Sequence, residues 1–270
     1  MTPIESRTQD INQATVPLRA GIVVTSIERT VDGRRAGCWL ADIAYPWRAL
    51  RRNGWDVEFI CPRVGRAVLG GVDRSDPAQR AFLNDSVARQ RFARATAPDL
   101  EKATDFSLVY FAGGVGALEE LPDSQSLTSF TQGAAQGGAV LAATGHGAAG
   151  LIRVNDRHGI SVLNGRRVTT SPLAEDREME LPNPATDLTH ALSKAGASVI
   201  FGDPFHPHVV VDGPLVTGQN PASSMVLAAA ILSVTTAVTA TGGPSSVDET
   251  SASSTRRWCG PPLWPRGTEC

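Results

Sequence analysis

Two stretches of the chain share one design: "SLVYFAGG" (107–114) and "GAVLAATGHG" (138–147) each drive an apolar strand into a glycine turn. Strands that are apolar almost throughout suit a position buried on both faces, which is the environment of a parallel sheet covered by helices. Upstream, "AGIVVTS" (20–26) and "WDVEFICP" (55–62) are strand patterns, and between them "WLADIAYPWRALRRNG" (39–54) has helical spacing and stops at Asn53-Gly54. That is a βαβ unit. The pattern predicts a three-layer α/β/α sandwich around a mostly parallel sheet, with sites at the carboxyl ends of the strands. Three such ends are Cys61-Pro62, Ala112-Gly113-Gly114 and Thr144-Gly145-His146.

Farther on, "ASVIF" (197–201), "HVVVDG" (208–213) and "PLVTG" (214–218) read as short strands, with Asp212-Gly213 suited to a hairpin turn. "NPASSMVLAAAILSVTTAV" (220–238) places Pro near a first helical turn and predicts the last buried helix. Residues 77–94 read as one polar surface helix with a solvated charged face. The expected domain spans 19–240, between a disordered arm at 1–18 and a disordered Gly/Ser/Thr/Pro-rich tail at 241–270.

The chain has 270 residues, 41% hydrophobic and 19% charged, with a formal net charge of −2. Such a balance gives no electrostatic reason to expect nucleic acid or an anionic membrane as partner. The segment around "SSMVLAAAILSVTTAV" is too short for a membrane span, and the N-terminus lacks a signal-peptide layout, so cytoplasmic location is the expectation. Four cysteines, Cys38, Cys61, Cys259 and Cys270, form no CxxC pair. In a reducing compartment a Cys259–Cys270 bridge is not expected. "GGVGALEEL" lacks the third glycine of a dinucleotide fingerprint, so no nucleotide cofactor is indicated. His206 and His208 have no acidic third ligand nearby, so no metal site is expected either.

The layout of "LAATGHGAAG" (141–150) is that of a nucleophile elbow, but its tip reads Thr144-Gly145-His146. Backbone N–H groups at Gly113, Gly114 and His146 are candidates for holding an oxyanion, although glycines also serve simply to turn a strand into a helix. The segments "GCWLADIAYPWRALRRNGWDVEFICP", "LVYFAGGVGALEELPD", "AVLAATGHGAAGL", "NGRRVTT" and "PHVVVDGPLVTGQNPASS", in this order, resemble the ThiJ/PfpI superfamily, with its flavodoxin-like, class I glutamine amidotransferase-like fold. The branch of closest resemblance holds glyoxalase III, deglycase and chaperone-type proteins.

That resemblance implies a catalytic glutamate four residues before a proline, where this chain has Asp42 before Pro46. It implies an elbow of Ala-any-Cys-His-Gly, where this chain reads Ala143-Thr144-Gly145-His146-Gly147, so that Gly145 takes the cysteine position. Val115 stands where the family's glycine turn usually carries histidine, and Glu175 or Asp176 of "SPLAEDREME" stands for a further acid. A glycine offers no nucleophile. The first expectation is therefore an enzyme that uses acid–base chemistry of a lyase, hydratase, isomerase or cyclase kind on a carbonyl-containing metabolite of specialised metabolism. Asp42 and His146 would be catalytic, and Gly113, Gly114, Val115, Gly145 and Cys61 would bind substrate. One alternative is a noncatalytic binding or chaperone-like protein. Another is glyoxalase-type activity with the thiol relocated to Cys61, or less readily to Cys38. A homodimer is expected, since relatives self-associate and two-fold assemblies are the commonest oligomers.

Overall fold

The computed structural model describes residues 17–64, 67–181 and 186–241. Of the expected N-terminal arm only Pro17 and Leu18 fall within these, and the rest of it, the tail beyond Thr241, Cys259 and Cys270 lie outside the described residues.

Six strands form the central sheet, in the order Asp56–Ile60, Arg19–Val23, Phe106–Phe111, Val140–Thr144, Leu215–Gly218, Val209–Asp212. The first four junctions are parallel, and only the Val209–Asp212 edge runs antiparallel. That edge closes as a two-residue hairpin, with Leu215 paired to Asp212 across Gly213-Pro214 and Gly213 at φ +58°. Alternation along each strand divides the core into two. Leu108, Tyr110, Val140 and Ala142 face one apolar layer, and Val109, Phe111, Leu141 and Ala143 face the other. Helices Leu40–Arg52 and Ser224–Thr241 cover the first face, and helix Gln125–Gln136 packs on the second. The predicted three-layer sandwich is the observed one.

Other elements differ from the sequence reading. Residues 77–94 form two helices, Pro77–Asn84 and Ser86–Ala93, because Asp85 caps the second by accepting from the Val87 and Ala88 N–H groups. The pair is not simply a solvated face. Phe82 and Phe92 turn inward onto Phe59, which stacks on Trp47 at 5.3 Å between ring centroids. Ser198–Val199 leaves the main sheet to pair with Arg167–Val168. The segment after the elbow is a 3₁₀ helix, Gly145–Leu151.

Helix Ser224–Thr241, with the turn Pro221–Ser223 before it, is long and apolar enough by length and composition to cross a membrane, contrary to the sequence expectation. In this fold Leu227, Ile231, Val234 and Val238 bury one face of it against the sheet.

The inward aromatic cluster carries a testable cost. Phe82→Ala should lower the unfolding free energy by about 3–5 kcal/mol, read from denaturant midpoints. A change within about 0.5 kcal/mol, the scale of a surface substitution, would show that helix Pro77–Asn84 does not anchor there.

Candidate functional site

Helix Leu40–Arg52 places Asp42 in its first turn and contains Pro46. Proline has no N–H, so the Asp42 carbonyl loses the partner four residues on that a helix would normally supply. The Tyr110 hydroxyl donates to that carbonyl instead, at 2.7 Å, and lies 2.6 Å from Thr144 Oγ1. One phenol on the central strand thus fixes the turn that carries Asp42 against the residue preceding Gly145.

The Asp42 side chain is fully buried. Its Oδ1 accepts from Ser224 Oγ at 2.5 Å; its Oδ2 makes no hydrogen bond of good geometry, the Gly113 N–H lying near the carboxyl without closing one. A Cβ built on Gly113 would stand 2.4 Å from that Oδ2 and 2.7 Å from the Thr144 carbonyl oxygen, so only glycine permits this approach. Burial pushes the Asp42 carboxyl up to about 7, against the opposing pull of the Ser224 hydroxyl, the Gly113 N–H and nearby His146.

Parallel pairing aligns the other strand ends. Gly218 is in register with Thr144, so Gln219 follows beside Gly145. Gly145 is at φ +49°, the strained geometry of an elbow tip. Space above it is open: a Cβ there would meet only the Gln219 carbonyl oxygen, at 3.5 Å.

His146 is buried and its Nε2 lies 3.1 Å from Asp176 Oδ2. With Asp176 ionised, Nε2 carries the proton and donates, which fixes the tautomer. Asp176 Oδ1 accepts in turn from Ser171 Oγ at 2.7 Å.

The structure separates the two adjacent acids. Asp176 orients His146, while Glu175 Oε1 accepts from the Phe205 N–H, Gln219 Nε2 and Asn220 Nδ2 at 2.7–2.8 Å. Glu175 Oε2, also buried, has no partner. Burial holds the Glu175 carboxyl above the usual range, with the three donors pulling it back.

Asp42, Gly113, Gly114, Gly145 and His146 therefore line one cleft, together with Trp39, Ser171, Glu175, Met179, Gln219 and Asn220. Two expected members do not. Val115 starts the short helix Gly116–Glu120 and is buried away from the cleft. Cys61 belongs to the apolar core beyond the end of its strand, where burial pushes its thiol up to about 11. Cys38, the other relocation candidate, sits in the same core, accepts a hydrogen bond from the Thr25 N–H and is raised further still by burial. Neither thiol is placed or ionised for nucleophilic work. Among the described residues no group of three or more His, Cys, Asp or Glu is arranged to hold a metal ion.

The enclosed interior of the cleft is only about 10 Å³, the room of roughly one water molecule, so any larger ligand enters only if lining side chains move. A larger surface hollow of about 330 Å³ lies elsewhere, between Trp47, Arg51 and Phe82, and contains none of these groups.

Comparison with known proteins finds the DJ-1/PfpI family matching residues 36–234. The glutathione-independent glyoxalase HSP31 of Saccharomyces cerevisiae is 26% identical over 211 residues, covering 72% of this chain and 86% of that protein. The glutathione-independent glyoxalase hsp3101 of Schizosaccharomyces pombe is 29% identical over 230 residues, covering 75% and 89%. Among solved structures, glyoxalase III from Candida albicans superposes with a TM-score of 0.71 over 80% of this chain and 97% of that one, at 19% identity. At that identity the likeness concerns the fold.

The buried Asp42 makes stability depend on pH in a defined direction. Its carboxyl is raised in the folded state, so its stabilising contribution is complete below the unfolded value of about 3.9 and is lost as pH rises toward about 7. The stability of the protein relative to Asp42→Asn should therefore fall between pH 4 and 7, by on the order of 4 kcal/mol at most, and then level off. Denaturant unfolding of both proteins across that range checks it. A stability relative to Asp42→Asn that rises over that range would contradict the assignment.

Proposed function

The chain belongs to the DJ-1/PfpI family, and on that premise we propose that its cleft carries out glyoxalase-type chemistry on a small 2-oxoaldehyde such as methylglyoxal, by acid–base catalysis without a thiol. The names of the relatives favour this over the broader set of lyase, hydratase, isomerase and cyclase reactions that the sequence left open. The observation that carries the reading is the Asp42 carboxylate: buried, with one oxygen held by Ser224 and the other unpartnered in the cleft that Gly145 opens.

Converting a 2-oxoaldehyde to a 2-hydroxy acid moves a hydrogen from the aldehyde carbon to the neighbouring ketone carbon. The task needs a base that can take a carbon-bound proton and return it one atom away. A carboxyl raised to about 7 is matched to that task near neutral pH, whereas an ordinary exposed aspartate at about 3.9 is a weak base. His146 is the second proton carrier: Asp176 holds its Nε2–H, leaving Nδ1 to take up a proton and, in the doubly protonated ring, donate it to the ketone oxygen as that oxygen gains charge.

The unpartnered oxygens mark a site that receives a ligand, and the raised Asp42 carboxyl is what favours a catalyst over a binding protein. Leaving a carboxylate oxygen buried and unbonded costs about 1–3 kcal/mol or more, and the cleft does this twice, at Asp42 and Glu175. Such a cost is typical of a site that keeps its acceptors for a ligand.

Methylglyoxal turnover by the purified protein should survive iodoacetamide treatment, because Cys38 and Cys61 are buried and protonated. Asp42→Asn should lose about 10²-fold or more in kcat/KM. Loss of activity on thiol alkylation, or unchanged turnover in Asp42→Asn, would overturn the reading.

A further inference from the structure

Oδ2 of Asp42 and Oε2 of Glu175 are buried carboxylate oxygens without partners, and both side chains line the cleft above Gly145. A third acceptor stands close by, since the Gln219 carbonyl oxygen is 3.5 Å from where a Cβ on Gly145 would be. A ligand that fits such a set must bring hydrogen-bond donors to it. The carbonyl form of an aldehyde has no donor at its reacting carbon. Its hydrate carries two hydroxyls there.

Resting on the glyoxalase-type reading, we propose that the form bound and converted is the aldehyde hydrate, a gem-diol, with one hydroxyl donating to Glu175 Oε2, the other to the Gln219 carbonyl, and Asp42 Oδ2 addressing the hydrogen on the same carbon. Water added to the aldehyde in solution then occupies the place that a nucleophile on the elbow would take, and no bond to the protein is needed.

The reaction balances within the substrate. Asp42 Oδ2 takes the proton from C1, the C–H electron pair becomes a C1–C2 double bond, and the C2 carbonyl pair moves onto its oxygen, which receives the Nδ1 proton of a doubly protonated His146 while its Nε2–H stays on Asp176. Asp42 returns its proton to C2, where the double-bond pair forms the new C–H bond. One C1 hydroxyl gives its proton to Glu175 as C1 becomes a carboxyl group, and solvent restores His146 and Glu175. C1 is oxidised by two electrons and C2 reduced by two. The hydrate and the 2-hydroxy acid contain the same atoms, so neither an oxidant nor a further hydrolysis step is required.

Rapid mixing separates the forms, because hydration of an aldehyde is not instantaneous. Methylglyoxal delivered from an anhydrous acetonitrile stock should show a lag, its initial rate near zero and climbing as hydrate accumulates. The same concentration equilibrated in buffer beforehand should run at full rate from the start. An anhydrous sample that starts as fast as the equilibrated one, or faster, would overturn the gem-diol assignment and leave glyoxalase-type activity standing. No turnover from either sample would overturn both.

Discussion

The arrangement of the cleft hangs on one hydroxyl. Pro46 removes a helical hydrogen bond from the Asp42 carbonyl, and Tyr110 supplies the replacement from the central strand while also bonding Thr144. A proline inside a helix ordinarily leaves a carbonyl to water or to strain. Here it frees a carbonyl through which the helix is fastened to the sheet, and the fastening point is the residue that bears the site carboxylate. Gly113 completes the fit, because any side chain there would collide with Asp42 Oδ2 and with the elbow strand.

With that geometry set, electrostatics follows from burial. Asp42 and Glu175 each have well-formed hydrogen bonds on one oxygen and none of good geometry on the other. Partial satisfaction keeps the carboxylates in place yet leaves them with raised proton affinity, as a base working near neutral pH requires. Asp176 is satisfied differently, between Ser171 and His146, and so reaches the cleft only through the histidine. Three neighbouring carboxylates thereby have separate environments, set by their partners and not by residue type.

Much of this was legible in the sequence, for physical reasons. Strands buried on both faces leave continuous apolar runs, so the parallel sheet and the strand ends that border the cleft could be read directly, and with them Asp42, Gly113, Gly114, Gly145 and His146. What failed depended on contacts distant in sequence. "CPRVG" does not reveal that Cys61 turns into the apolar layer, and the charges of 77–94 concealed Phe82 and Phe92 pointing at Phe59. Choosing between Glu175 and Asp176 required the positions of Gln219 and Asn220, more than forty residues on. Ser224, 182 positions from Asp42, carried a signal only in the "QNPASS" segment. Trp39 and Met179 carried none.

The central claim is that Asp42 is a desolvated base with its affinity for a proton raised by the fold. Carboxyl carbon NMR of selectively labelled aspartate, assigned by comparison with Asp42→Asn, measures this without any substrate. The account predicts an Asp42 titration midpoint of about 7. A midpoint at or below the ordinary aspartate value of about 3.9 would contradict it.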